Sequence, residues 1–154
     1  MSNGGFMSYH LACKLSSKIA AIASVTGSMS TETLSSCNPD HATPILQIHG
    51  ALDLTVPFDG NSSLGMESID EIIDYWKKYN LCNESPITAI SNNTEPLLLF
   101  QHDQYLNCLN GVRVELYKVE AMGHTWPNYN SYGLSATEKI WSFFNAFDKN
   151  GELK

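Results

Sequence analysis

Two short, uninterrupted apolar runs limit the folds that are open to this chain. Residues 19–25 (Ile-Ala-Ala-Ile-Ala-Ser-Val) end before Gly27, and residues 45–49 (Ile-Leu-Gln-Ile-His) end before Gly50. Short apolar runs that do not alternate with polar residues are typical of strands buried on both faces, as in a parallel sheet. We therefore expect a sheet that helices cover on each side.

Helical patterns alternate with these strands. The strongest covers residues 68–79, which open with the capping box Ser-Ile-Asp-Glu and then place apolar side chains every three or four positions. Residues 3–16 and 135–147 predict two further helices. Helices alternating with buried strands predict one α/β domain over residues 1–154. The polar tail, residues 148–154, is predicted to be disordered.

The remaining segments complete a small sheet. Residues 97–102 and 112–119 predict two more strands, which makes about four in all. Residues 28–43 and 80–96 are rich in polar and turn-forming residues and predict loops. A mostly parallel sheet that starts at residues 19–25 would expose one long apolar edge.

Composition excludes several classes of function. A hydrophobic content of 43% in 154 residues is enough for a globular core. The net charge of −7 argues against nucleic-acid or anionic-membrane partners, because both require a basic surface. No apolar run reaches the roughly 20 residues that a membrane span needs.

The first five residues, Met-Ser-Asn-Gly-Gly, match the end of the nucleophile-elbow motif G-x-S-x-G. In that motif a serine lies on a tight turn between a strand and a helix, so that its hydroxyl is exposed. Ser2 would be the nucleophile and Gly4 the second glycine. The backbone N–H of Asn3, at the start of the helix, would be one oxyanion-hole donor.

An acid and a base follow in suitable loops. Asp53 comes after the strand at residues 45–49, and His124 lies in a Gly-His-Thr-Trp-Pro loop after residues 112–119. The carboxyl ends of parallel strands meet at one edge of a sheet, so we expect Ser2, Asp53 and His124 to converge there. A serine needs a base to take its proton, and a carboxylate orients that base. The chain order serine, acid, histidine is the order in α/β-hydrolases.

Each member of this set has alternatives. His49 is a second candidate base, although its place at the end of a strand favours packing or capping of the loop. Asp59 and Asp103 are alternative acids. No metal site is expected, because the remaining histidines lack the spacing of metal ligands: His10, His41 and His102.

Three longer motifs together carry a family resemblance. They are Ser-Asn-Gly-Gly-Phe-Met-Ser-Tyr from Ser2, His-Gly-x-x-Asp-x-x-Val-Pro-Phe-Asp-Gly from His49, and Gly-His-Thr-Trp-Pro from Gly123. In these motifs the chain resembles the polyhydroxybutyrate depolymerase and feruloyl esterase family of α/β-hydrolases, which includes LpqC-like esterases. The resemblance covers residues 1–147. It implies a secreted serine esterase without a cofactor, with a Ser2, Asp53 and His124 triad.

The resemblance also implies what surrounds the triad. Family members act on polyhydroxyalkanoate, on feruloyl or acetyl esters of polysaccharides, or on small esters. Trp126 and Phe58 flank the base and the acid and are candidates to line an acyl pocket. Because members of the family have further strands before the serine, we expect this chain to be the C-terminal half of such an enzyme, with little activity of its own.

Two other functions fit parts of the sequence. A prolyl-oligopeptidase-like serine peptidase shares the His-Gly-x-x-Asp-x-x-Val-Pro stretch and the residue order, but the Gly-His-Thr-Trp-Pro motif favours an esterase. The second is a non-catalytic relic, or a partner whose open edge completes the sheet of another subunit.

The four cysteines indicate whether the protein is exported or cytosolic. An even number at wide spacing suits two disulfides in an exported protein, whereas reduced cysteines would suit a cytosolic one. One of the three possible pairings joins each cysteine to its nearest neighbour in the chain. Three glycosylation sequons, at Asn61, Asn83 and Asn92, fit secretion as well. The cysteines are Cys13, Cys37, Cys82 and Cys108.

Overall fold

A computed structural model describes residues 1–91 and 99–153. Within these residues five strands form the main sheet, in the order β1-β2-β5-β4-β3. They are β1 (Ile22–Val25), β2 (Ile45–Gly50), β3 (Ile87–Ile90), β4 (Phe100–Tyr105) and β5 (Val114–Val119). The helices are α1 (Asn3–Lys14), α2 (Thr31–Ser35), α3 (Ile69–Tyr79), α4 (Tyr129–Tyr132) and α5 (Ala136–Phe144).

The sheet is mostly parallel. Neighbours β1, β2 and β5 are parallel, whereas β4 is antiparallel to both β5 and β3. Four of the five described strands therefore run in one direction. The predicted α/β class with a mostly parallel sheet is confirmed.

Helices pack on both faces of the sheet. On one face, α1 and α3 bury Tyr9, Ile72 and Trp76 against the strands. On the other face, Phe143 of α5 and Met122 of the loop after β5 are buried. The capping box predicted at the start of α3 is present, and it satisfies backbone N–H groups at the helix end.

Several elements differ from the sequence predictions, among them α2, β3 and β4. Helix α2 lies in a segment predicted as a loop, and its five residues are too few to show a periodic pattern. Strand β3 lies in the second predicted loop, and its four residues are all exposed, so that no apolar face marks it. The predicted strand at residues 97–102 corresponds to β4, which begins at Phe100; residues 97 and 98, and the sequon at Asn92, lie outside the described residues.

The C-terminal tail is not disordered where the structure describes it. Strands β6 (Phe147–Asp148) and β7 (Gly151–Glu152) form an antiparallel hairpin. The side chain of Phe147 is buried in the core beneath α5, and the N–H of Leu153 donates to the carbonyl of Ala146. The buried side chain of Phe147 and the close packing of Gly151 against Asn110 hold this hairpin, and such scattered contacts leave no periodic signal in the sequence.

Two disulfides cross-link the chain. Cys13 of α1 is joined to Cys37, which follows α2, and Cys82 is joined to Cys108. This is the nearest-neighbour pairing among the three possibilities. No helix among the described residues has the length and apolar content needed to cross a bilayer.

Candidate active site

Ser2 lies on a strained turn at the open end of the sheet. Its φ of 52° and ψ of −127° are unusual for a residue with a side chain. The Ser2 N–H donates to the carbonyl of Val25 at the end of β1, and the Ser2 carbonyl accepts from the N–H of Gly5. These two hydrogen bonds hold the turn, so that the side chain projects from the start of α1.

Close contact between two glycines brings this turn against β1. A methyl group added to Gly5 would lie 2.9 Å from the Cα of Gly27 and closer still to the Oγ of Ser24. A methyl group on Gly4 would meet no atom within 4 Å. The glycine that allows the close approach is therefore Gly5, rather than the motif glycine Gly4 that the sequence indicates.

The structure brings Ser2, His124 and Asp53 together. The Nε2 of His124 lies 2.9 Å from the Oγ of Ser2, and its Nδ1 lies 2.8 Å from the Oδ2 of Asp53. Asp53 is 2% exposed, and its Oδ1 accepts hydrogen bonds from the backbone N–H groups of Thr55 and Val56. A carboxylate is the acceptor for His124 Nδ1–H, which leaves Nε2 free to accept the proton of the Ser2 hydroxyl.

This convergence follows from the strand order. Ser2 lies beside the end of β1, Asp53 follows β2, and His124 follows β5, and these three strands are parallel neighbours. Their carboxyl ends therefore share one edge of the sheet, where sites form in α/β folds.

A cleft of about 300 Å³ opens beside the serine. Its walls include Ser2 and Asn3 together with apolar side chains that sequence reasoning missed. As the first residue of α1, Asn3 has a backbone N–H with no acceptor inside the helix, so this group is available as an anion donor beside the cleft. The apolar lining residues are Phe6, Val56, Leu64 and Met66.

Neither of the predicted substrate-binding aromatics lines this cleft. Phe58 is 6% exposed, packs in the core with its ring edge-on to His49, and is covered by the ammonium group of Lys118. Trp126 lines a separate groove along β1, and its indole N–H donates to Thr137. Both residues neighbour the triad in sequence, but their loops turn the side chains away from it.

The alternative residues have other partners. Asp103 lies on β4, where its two carboxylate oxygens accept from Thr88 and Gln101. Asp59 lines a separate polar pocket. His49 is fully buried behind Asp53, with its Nε2 facing the carbonyl of Val56. In residues 1–91 and 99–153, no group of three histidine, cysteine or acidic side chains could hold a metal ion.

Comparison with known proteins gives one match. The sequence profile of the phospholipase/carboxylesterase family, which belongs to the α/β-hydrolases, matches residues 1–81. This segment is more than half of the 154 residues and includes Ser2 and Asp53, whereas His124 lies beyond it. No curated protein matches the chain. With this profile match and an α/β fold of mostly parallel strands, the chain belongs to the phospholipase/carboxylesterase family of α/β-hydrolases.

Proposed function

We propose that this chain carries the acyl-transfer centre of a secreted serine carboxylic-ester hydrolase. The observation that carries the proposal is the continuous hydrogen-bonded line from Ser2 Oγ through His124 to Asp53, beside an apolar cleft. In this proposal Ser2 is the nucleophile, His124 the general base and acid, and Asp53 the residue that orients His124.

The reaction proceeds in two halves. His124 Nε2 takes the hydroxyl proton as Ser2 Oγ attacks the ester carbonyl carbon, and the imidazolium that forms is stabilised by Asp53. The same proton then passes to the leaving alkoxide, which departs as the alcohol and leaves an acylated Ser2. Water, activated by His124 in the same way, releases the acid. The N–H of Asn3 donates to the oxyanion in both halves.

The cleft supports a substrate with an uncharged acyl group. Its lining of Phe6, Val56, Leu64 and Met66 offers apolar contact and no cationic partner for a charged acyl chain. Small esters fit its volume of about 300 Å³, and the polyhydroxyalkanoate, feruloyl and acetyl esters suggested by the motifs are the polymeric candidates. The two disulfides are compatible with the extracellular location that this proposal includes.

Covalent labelling tests the nucleophile directly. A fluorophosphonate probe should modify Ser2 in the full chain, and mass spectrometry of the digested protein should find the adduct on that residue. We expect Ser2→Ala to abolish labelling and His124→Gln to slow it by about 10²–10⁴-fold, which is the usual contribution of a general base. As a control, His10→Gln removes an exposed imidazole of α1 whose Nδ1 lies 3.4 Å from Oγ1 of Thr33, and this variant should be labelled at the normal rate. An adduct on another residue, or equal labelling of His124→Gln, would contradict the proposal.

Substrate assays separate the reaction classes. A p-nitrophenyl ester should acylate Ser2, whereas a proline p-nitroanilide should not react if the site belongs to an esterase. Faster hydrolysis of the anilide than of the ester would favour the peptidase.

A further inference from the structure

A buried chain of polar side chains lies behind Asp53, on the face of the sheet that carries α1 and α3. The hydroxyl of Tyr9 donates to Oε1 of Gln47 at 2.8 Å, and Nε2 of Gln47 lies 2.8 Å from Nδ1 of His49. The Nε2 of His49 lies 2.8 Å from the carbonyl oxygen of Val56. Tyr9, Gln47 and His49 are all 0% exposed, so water does not replace any of these partners.

The partners fix the direction of every hydrogen bond in this chain. The amide nitrogen of Gln47 also donates to the carbonyl of Gly27, at 2.9 Å, which sets the orientation of the amide. Because that nitrogen can only donate, Nδ1 of His49 accepts. Because the Val56 carbonyl can only accept, Nε2 of His49 carries the hydrogen. Burial lowers the pKa of His49, which agrees with a neutral ring.

The chain ends on the loop that holds the acid. Val56 accepts from His49 through its carbonyl and donates from its own N–H to Oδ1 of Asp53, at 2.9 Å. The Nε2 of His49 is 3.7 Å from Oδ2 of Asp53, which is too long for a hydrogen bond. Oδ2 is therefore left to His124, while His49 holds the backbone that fixes Oδ1.

We propose that His49 is a positioning residue for the triad: as a neutral imidazole oriented by Gln47, it anchors the Val56 peptide and thereby aims Asp53 at His124. The inference rests on the proposed function of Ser2, Asp53 and His124. The same chain includes Tyr9 of α1 and the Gly27 carbonyl, so it links the helix that follows Ser2 to the loop that carries the acid. Misplacement of the acid would turn the imidazole of His124 away from Ser2.

Two substitutions at one position separate positioning from packing. His49→Phe keeps the ring volume but removes both nitrogens, whereas His49→Gln can place an amide N–H near the position of Nε2. We expect His49→Phe to lower the maximal rate of fluorophosphonate labelling of Ser2 by about 10–100-fold. The half-saturating probe concentration should stay unchanged, because the cleft itself is not altered. His49→Gln should recover most of the rate.

Asn80→Ala is the matched control for lost stability. Asn80 is also 0% exposed, and its side chain bonds both the N–H and the carbonyl of Thr43, just before β2 begins. His49 lies near the other end of the same strand. Asn80→Ala should lower the melting temperature without changing the labelling rate. If His49→Phe and His49→Gln behave like Asn80→Ala, the positioning role is overturned.

Nitrogen NMR of the unsubstituted chain reports the tautomers of His49 and His124 directly. This test is valid even if the substituted variants fail to fold. With ¹⁵N-labelled histidine, His49 should appear as the Nε2–H tautomer and His124 as the Nδ1–H tautomer. The Nδ1–H signal of His124 should shift in His49→Phe and stay in place in Asn80→Ala. An Nδ1–H tautomer at His49 would overturn the inference. If the probe does not modify Ser2 in the unsubstituted chain, the proposed function fails instead, whatever tautomer His49 adopts.

Discussion

Gly4 and Gly5 are neighbours in sequence, but Gly5 alone of the two packs closely against a distant segment, residues 24–27. Because a methyl group at Gly5 would overlap Ser24 and Gly27, we expect Gly5→Ala to lower the free energy of unfolding by about 1–3 kcal/mol. Gly4→Ala should be neutral, or stabilising by up to about 1 kcal/mol, since alanine favours the helix. Denaturant unfolding of the two variants measures the difference. Equal effects at the two positions would mean that the contact with Gly27 does not limit the approach of α1.

The convergence of Ser2, Asp53 and His124 could be predicted from the sequence, but the surroundings of these residues could not. Ser2, Asp53 and His124 were identifiable because residue type, loop position and chain order all point to one edge of the sheet. The roles of Phe58 and Trp126 depend on which way a loop turns its side chains, and sequence proximity does not set that direction. The buried chain through Gln47 and His49 depends on contacts between residues that lie far apart in sequence.

At the scale of secondary structure, a partly buried ionic cluster joins β4 to β5 and lies against β6. Glu115 of β5 accepts hydrogen bonds from His102 of β4 and from Arg113, and Arg113 lies over the ring of Phe147. Burial raises the pKa of Glu115, but the hydrogen bonds from His102 and Arg113 outweigh burial, so that the pKa lies below its usual value. Glu115 therefore stabilises the fold above its unfolded pKa of about 4.3, and this contribution is lost as the pH falls through its lowered folded pKa.

We expect Glu115→Gln to destabilise the chain by about 1–3 kcal/mol at neutral pH, because Arg113 would lose its buried ionic partner and keep Glu152, whose side chain is 50% exposed. The loss should shrink as the pH is lowered, since the unsubstituted Glu115 then becomes protonated too. Urea unfolding at several pH values measures both effects. Glu84→Gln is the control, because the Glu84 side chain is 83% exposed and its removal should change stability by less than about 0.5 kcal/mol. A pH-independent difference would show that the charge of Glu115 is not the cause.

The strength of a local pattern decided which elements could be predicted. Helix α3 and strand β2 have patterns that continue for a whole element, and both were predicted nearly to their ends. Strand β3 was missed because all four of its residues are exposed, and it exists by pairing Ile87 with Gln104 of β4. A pairing partner 17 residues away produces no pattern in the local sequence that would predict the strand.

At the scale of the whole molecule, the sheet has an apolar groove along β1. The groove has a volume of about 380 Å³, and α1, β1 and α5 contribute Leu11, Ala23 and Phe144 to its walls. β1 is an edge strand of the described sheet, and no described strand pairs with its free edge. At the end of β1, the Ser2 N–H donates to the carbonyl of Val25. Open edges flanked by apolar surface promote association.

We therefore expect the chain to self-associate in a concentration-dependent way through this groove. Phe144→Lys should reduce association, because Phe144 lines the groove and is 38% exposed. Trp141→Lys is a stringent control, since Trp141 is a more exposed aromatic residue on the same helix, at 68%, but does not line the groove. Sedimentation velocity over a range of concentrations gives the result. An equal effect of both substitutions would indicate general surface hydrophobicity.

The backbone conformation that exposes the Ser2 hydroxyl is expected to lower the thermal stability of the chain. At φ 52° and ψ −127° a glycine would be relaxed, whereas a residue with a Cβ atom stores about 1–3 kcal/mol of strain. Ser2→Gly should therefore unfold at a higher temperature than Ser2→Ala, although neither variant has a nucleophile. In calorimetry, equal melting temperatures would show that the turn carries no strain. Among variants selected only for heat resistance, glycine should therefore be favoured over serine at position 2.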